Sequence, residues 1–285
     1  MKITDSVTKL PPRNADSHKG DFGKVCIIAG STGMAGAAAL AGRACLRAGA
    51  GLVRVAVAKS TLPIVAAIEP SYTTIALPED EYGQISFDAL PVILNATKEN
   101  DVIAFGPGVG VSDDLKKILE YLIKIPELAL IIDADGLNNL SKLRNWHEIS
   151  KASLILTPHP GEMKRLWASV FREKIPDDRQ QIAGKFAELT NTTVVLKGAG
   201  TIVTDGKRLF LNTTGNAGMA TAGAGDCLTG TITALKAQKM SFFDSAVLGV
   251  YIHGLAGDIA AKKKGQISLI ATDIIDCLSD AFMKI

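Results

Sequence analysis

The segment Val25-Cys-Ile-Ile-Ala-Gly-Ser-Thr-Gly-Met-Ala-Gly-Ala-Ala-Ala-Leu-Ala-Gly-Arg-Ala-Cys-Leu-Arg-Ala48 decides the fold class. Val25–Ala29 is an unbroken apolar run, as in a strand buried on both faces. The small residues Ala37, Ala41, Ala44, Cys45 and Ala48 then recur with the spacing of one helix face. A strand, a glycine turn and a helix with a small-residue stripe make the first half of a β–α–β unit, the helix lying close on the sheet. Outward from this segment the alternation continues. Strands are expected at Leu52–Val57, Val102–Phe105, Leu128–Asp133, Leu154–Thr157 and Val194–Leu196. Helices are expected at Phe87–Thr97, Asp114–Lys124, Glu162–Trp167 and Arg179–Leu189. Near residue 201 the pattern changes. Thr201–Thr204 and Arg208–Leu211, joined by Asp205-Gly206-Lys207, read as a hairpin, followed by helices at Asp226–Ala237, Asp244–Lys262 and Ile270–Lys284. No repeat or linker divides the chain, so residues 1–285 read as one α/β domain with a largely parallel central sheet flanked by helices.

A chain of 285 residues is long enough to bury one large core. Its 31 Lys and Arg against 29 Asp and Glu leave a formal charge of +2, too small to mark a nucleic-acid or membrane-surface binder. Nine Phe, four Tyr and two Trp offer few rings for base stacking. Cys26, Cys45, Cys227 and Cys277 form no C-x-x-C pair, which excludes a zinc knuckle and suits free thiols in a reducing cytoplasm. No apolar run reaches about 18 residues, and Met1-Lys-Ile-Thr-Asp5 lacks the apolar core of a signal peptide. A cytoplasmic protein is expected.

Of the 27 glycines, fifteen gather within residues 30–36, 49–51, 106–110, 198–200 and 215–230. Several groups follow expected strands, where open α/β sheets bind ligands beyond the carboxyl ends. Any one alone reads equally as a tight turn. Gly30-Ser-Thr-Gly33-Met-Ala-Gly36 has G-x-x-G-x-x-G spacing, and Val55-Ala-Val-Ala-Lys59 supplies no acidic ribose ligand, which disfavours a hydride-transfer dinucleotide fold. No G-x-x-x-x-G-K-[ST] occurs, so there is no P-loop.

Thr221-Ala-Gly223-Ala-Gly225-Asp226 runs into the expected helix Asp226–Ala237. Unpaired N–H groups at a helix start favour an anion. Asp226 could simply cap that helix. A carboxylate beside a bound phosphate would repel it, however, so the favoured reading is a general base that takes the proton of the hydroxyl receiving a phosphoryl group.

Gly-Ala-Gly-Asp at 223–226 resembles the signature of the ribokinase-like superfamily, a three-layer sandwich. The longer string Asn212-Thr-Thr-Gly-Asn-Ala-Gly-Met-Ala-Thr-Ala-Gly-Ala-Gly-Asp226 is similar to the NAD(P)H-hydrate dehydratase family. Asp16-Ser-His-Lys-Gly-Asp-Phe-Gly23, Gly30–Ala37, Asp133-Ala-Asp-Gly-Leu-Asn138, Thr157-Pro-His-Pro-Gly-Glu-Met163 and Lys197-Gly-Ala-Gly-Thr201 agree with it. The matches run in order from about residue 16 to residue 238. Two positions depart from the pattern: Ala217 stands where the family has Pro, and Ala224 where Ser or Thr is common.

The resemblance implies nucleotide-dependent dehydration of the (S)-epimer of C6-hydrated NADH or NADPH. The C6 hydroxyl would be phosphorylated by ADP or ATP with Mg2+, and phosphate then eliminated. It implies Asp226 as the catalytic base; Ala37, Gly108, His159 and Asp226 as contacts to the hydrated cofactor; and Lys197, Gly198, Ala199, Gly200, Thr201, Gly223, Ala224 and Gly225 as the nucleotide site. The metal ligands stay open. Asp133 and Asp135 read either as Mg2+ orienters through water or as turn residues, Glu162 as a metal-region group or a helix-start residue, and His18 as a substrate contact or a loop anchor. His147 and His253 read as surface or core histidines. The resemblance further implies a homo-oligomer, tetrameric or larger, and, because no residues remain for a fused epimerase, a separate NAD(P)H-hydrate epimerase as functional partner. The rival readings are a vitamin-precursor kinase of the hydroxyethylthiazole type and a nucleotide-binding module without catalysis.

Overall fold

In the computed structural model, which describes residues 1–285, ten strands form one sheet. They are β1 (Lys2–Ile3), β2 (Lys24–Ile28), β3 (Leu52–Ala58), β4 (Thr73–Leu77), β5 (Val102–Phe105), β6 (Ala129–Ile132), β7 (Ser153–Leu156), β8 (Thr193–Leu196), β9 (Ile202–Thr204) and β10 (Arg208–Leu211). The helices are α1 (Ala35–Arg47), α2 (Leu62–Ile68), α3 (Leu90–Glu99), α4 (Asp113–Ile123), α5 (Asp135–Leu140), α6 (Trp146–Ile149), α7 (Pro160–Val170), α8 (Arg179–Thr190), α9 (Ala224–Ala237), α10 (Phe242–Lys264), α11 (Ala271–Asp276) and α12 (Leu278–Phe282).

The sheet order is β1-β10-β9-β8-β7-β6-β5-β2-β3-β4. From β8 to β4 every pairing is parallel, while β9 pairs antiparallel with both β8 and β10. The expected α/β architecture is therefore present, with the hairpin in place. Alternation along β2 divides the core: Cys26 and Ile28 pack with α3 to α8, whereas Val25, Ile27 and Ala29 pack with α1, α9 and α10. A further apolar cluster joins α10 to α11 and α12, giving helix, sheet and helix layers.

Two expectations are corrected. The helix expected over Ile270–Lys284 is two short ones that meet at Cys277 (φ −94°, ψ −2°). The strand expected at Leu128–Asp133 stops at Ile132, which releases Asp133 into the turn. The sequence reading also missed β4, an edge strand whose exposed and half-buried residues give it little apolar signal.

The small-residue stripe of α1 is buried as expected, with Ala41, Ala44 and Cys45 fully so. Its partner α9 comes so close that a Cβ on Gly230 would stand 2.1 Å from the Ala41 carbonyl oxygen. This contact fixes α9, and hence the turn before it, relative to the sheet. Gly230→Ala must push the helices apart, and we expect it to cost about 1–3 kcal/mol as an overpacked core site does. Gly36→Ala, on α1 with open space around it, should be neutral or stabilising by up to about 1 kcal/mol. Urea unfolding of both variants checks the contrast.

Candidate active site

Because β2, β5, β6, β7 and β8 are parallel neighbours, their carboxyl ends lie along one edge of the sheet. The turns there are Gly30–Gly36, Gly106–Gly110, Asp133–Asp135, Thr157–His159 and Lys197–Thr201. The first turn of α9 faces the same edge: a Cβ on Gly225 would stand 3.4 Å from Lys197 Nζ and 3.9 Å from Asp133 Oδ2. On the far side Gly108 (φ +63°) abuts α1, its Cβ position lying 3.0 Å from the Ala37 Cβ. A side chain at 108 would collide, so glycine permits both the turn and the close approach. Ala37 and Gly108 are thus in contact.

Asp133 is the centre of the site. It is 1% exposed, and its oxygens accept from Thr157 Oγ1, Lys197 Nζ and Thr229 Oγ1, each at 2.7 Å. Those donors come from the ends of β7 and β8 and from α9. With both oxygens so occupied, Asp133 reads as an anchor, and the metal-orienting alternative loses support. Asp135 is likewise engaged, accepting from Gly110 N at 2.9 Å and Asn138 Nδ2 at 3.2 Å. Between them Ala134 adopts φ +50°, ψ −120°, a conformation glycine would favour.

Lys197 also lies 3.8 Å from Glu162 Oε2. Burial alone would weaken its charge, but Asp133 and Glu162 outweigh that and raise its pKa above the ordinary lysine value. Glu162 itself is pushed up to about 7, chiefly by burial, with Lys197 opposing.

Asp226 is the third residue of α9 and Gly223 (φ +86°) is the cap, so capping is not the role of its side chain. The Asp226 carboxyl makes no hydrogen bond within the chain. Burial raises its pKa to about 7, Asp133 adding to the effect and Lys197 opposing it. The Ala224 N–H is spent on Thr221 O at 3.4 Å, whereas the Gly225 and Asp226 N–H groups have no acceptor. Two free donors and an ammonium thus surround one small space, with a carboxyl of near-neutral pKa beside it.

His159 has a structural duty that the sequence did not reveal. Its Nδ1 accepts from Gly161 N (3.0 Å) and Glu162 N (3.3 Å), capping α7. Burial and then Lys197 hold its pKa below the ordinary histidine value, as an accepting imidazole requires. The ring is still 51% exposed, and its Nε2 lies 3.3 Å from Glu162 Oε1. The Lys197–Thr201 loop is pinned from behind by Arg179, which donates to the carbonyls of Ala199 (2.7 Å), Leu196 and Lys197 (both 3.2 Å). Thr157, Arg179 and Thr229 escaped the sequence reading, since nothing in the order of residues shows what a hydroxyl or guanidinium will touch.

His18 lies elsewhere. It precedes β2 on a turn at the amino edge of the sheet, 76% exposed and 3.1 Å from Asp21, which supports the loop-anchor alternative. His253 is a core residue of α10, 8% exposed. A cleft of about 960 Å3 between the Thr8–Ser17 arm, Gln238–Ser241 and Phe282 is away from the site turns and contains no buried ionisable group. No cluster of three His, Cys, Asp or Glu side chains could hold a metal by itself.

The chain is similar to known proteins over most of its length. The chain is 41% identical over 273 residues to the bifunctional NAD(P)H-hydrate repair enzyme Nnr of Moorella thermoacetica, covering 95% of this chain and 51% of that protein. It spans about half the length of the curated relatives it matches. An ADP/ATP-dependent NAD(P)H-hydrate dehydratase from Bacillus subtilis, co-crystallised with ATP and Mg2+, superposes with a TM-score of 0.82 at 28% identity, covering 97% of this chain and 94% of that one. Ribokinase of Thermotoga maritima shares the fold, with a TM-score of 0.58 at 17% identity over 92% and 99% of the two chains. The model of the NAD(P)H-hydrate dehydratase family matches residues 25–280, and the chain belongs to that family.

Proposed function

We propose that this chain dehydrates C6-hydrated NADH or NADPH in two chemical steps, using ADP or ATP as phosphoryl donor. The observation that carries the reading is Asp226: a carboxyl without a protein partner, with a pKa of about 7, beside two free N–H groups and the Lys197 ammonium. A base with a pKa near the working pH suits proton abstraction from an alcohol. In the first step Asp226 takes the proton of the C6 hydroxyl, whose oxygen bonds to the terminal phosphorus as the bond to the rest of the nucleotide breaks. The Gly225 and Asp226 N–H groups and Lys197 Nζ face the charge that builds on the phosphoryl oxygens. In the second step the C6–O bond breaks, driven by the ring-nitrogen lone pair, and a proton leaves C5 to restore the double bond. Hydroxide leaves poorly and phosphate well, which is why a phosphoryl-transfer site can produce a net dehydration.

The Lys197–Thr201 loop with Gly223 to Gly225 would hold the nucleotide, and Ala37, Gly108 and His159 the hydrated cofactor. Glu162 is the carboxylate left to meet a nucleotide-borne Mg2+, which needs only one or two beside phosphates and waters. Such an ion would neutralise charge on the transferring phosphoryl group. The reading includes a cytoplasmic location, supported by four buried free thiols, and an epimerase activity as functional partner. It also includes a homo-oligomer, for which the apolar helix Leu62–Ile68, buried only at Val65, offers uncovered surface.

Asp226→Asn should keep nucleotide affinity within about twofold while turnover of hydrated NADH falls by about 10³, within the range for loss of a general base. Calorimetry with ADP and absorbance of the restored dihydronicotinamide measure the two. Phosphorylation of a thiazole alcohol without cofactor recovery would instead favour the kinase reading. Asp226 must be ionised to act, and its raised pKa means that ionisation is lost as pH falls through about 7. The acidic limb of kcat/KM should therefore lie near pH 7, shared with Glu162, whose carboxyl is pushed up to about 7. A limb near pH 4 would match an unperturbed carboxylate and contradict the assignment.

A further inference from the structure

Arg165, on α7, takes no part in the scheme above. Its side chain is exposed, yet it is held in place: Nε donates to Asn138 Oδ1 at 2.9 Å. Asn138 Nδ2 in turn donates to Asp135 Oδ1 at 3.2 Å, and Asp135 Oδ2 accepts from Gly110 N at 2.9 Å. Three hydrogen bonds thus link Arg165 across the turn after β6 to the glycine turn after β5, where Gly108 meets Ala37.

Two features separate this arginine from an ordinary solvated cation. Its anchor is a neutral amide, so the positive charge is not cancelled, and it forms no ion pair with any carboxylate within 4.0 Å. Only Nε is used, which leaves both Nη groups without an acceptor in the chain. The guanidinium also stands near His159: Nη1 is 3.9 Å from the Cβ position of Gly161, whose N–H is capped by the His159 ring. An oriented guanidinium with two free parallel donors matches the oxygens of a phosphate in a bidentate pair.

We propose that Arg165 binds the pyrophosphate of the hydrated dinucleotide through its two Nη groups, with Asn138 and Asp135 holding the fork in position. The assignment rests on the dehydratase reading, since it presumes a dinucleotide lying along the β7–β6–β5 edge. The donor nucleotide is the other source of phosphate at this site. The hydrogen-bonded path from Arg165 runs toward Gly110 and the Gly108–Ala37 contact, away from Lys197–Thr201 and Gly225, and so favours the dinucleotide.

The test is calorimetric binding to wild type, Arg165→Ala and Arg165→Lys, using hydrated NADH, hydrated dihydronicotinamide riboside (which carries no phosphate) and ADP. Loss of a charge-assisted pair weakens binding by about 10- to 100-fold. Arg165→Ala should show that loss with hydrated NADH while binding the riboside and ADP within about twofold of wild type. Arg165→Lys should fall between, having a charge but no fork. Unchanged binding of hydrated NADH overturns the proposal. A loss confined to ADP assigns the guanidinium to the donor nucleotide, and an equal loss on both hydrated ligands makes Arg165 a loop-positioning residue; either result also overturns it. If wild type itself fails to bind hydrated NADH, the dehydratase reading falls with it, and that outcome is visible before any substitution is compared.

Discussion

The site depends on satisfying one carboxyl, Asp133, buried at the end of β6. A charge with 1% exposure is tolerable only when paired and hydrogen-bonded. The chain meets that demand with Lys197 from β8, Thr157 from β7 and Thr229 from α9. Satisfying Asp133 therefore fixes three turns and a helix relative to one another. Removing one partner of such a pair costs about 3–5 kcal/mol, so the arrangement resists drift. It also holds the Lys197 ammonium under Gly225, where a phosphoryl oxygen would need it. On the same helix, three residues before Thr229, Asp226 is held in a half-buried position whose desolvation raises its pKa.

The near-neutral charge of the chain fits this design. Anion recognition rests on backbone donors at the start of α9, on one lysine and on glycines that let the backbone come close, rather than on a basic surface. Each close approach has a packing counterpart: Gly230 lets α9 reach α1, and Gly108 lets the β5 turn reach Ala37. The strained Ala134, between two engaged aspartates, is the local cost of placing Asp133 and Asp135 on successive sides of one turn.

Much of the fold was legible because buried parallel strands are short apolar runs, and Val25–Ala29 with the Ala37–Ala48 stripe shows both layers at once. The edge strand Thr73–Leu77 was not, because an edge needs only part of its residues buried. In the site, Asp226 was legible from the small-residue turn before a helix. The Asp133 network was not, since its partners lie 24, 64 and 96 residues away and meet only when the strands align in register. His159 shows a different gap: its place in a loop after a strand was readable, but its capping of α7 depends on a ring orientation that sequence order does not encode.

The central claim is that burial raises the pKa of Asp226 and that the Asp133 carboxyl adds to the effect. The most direct measurement is the Asp226 carboxyl pKa by 13C NMR in the ligand-free protein, compared with Asp133→Asn. The account predicts titration near pH 7 in the wild type. It predicts a clear fall in Asp133→Asn, where a repelling carboxylate is gone and Lys197 is left free to favour the Asp226 anion. Titration near pH 4 in the wild type, or a value unmoved by the substitution, would contradict it.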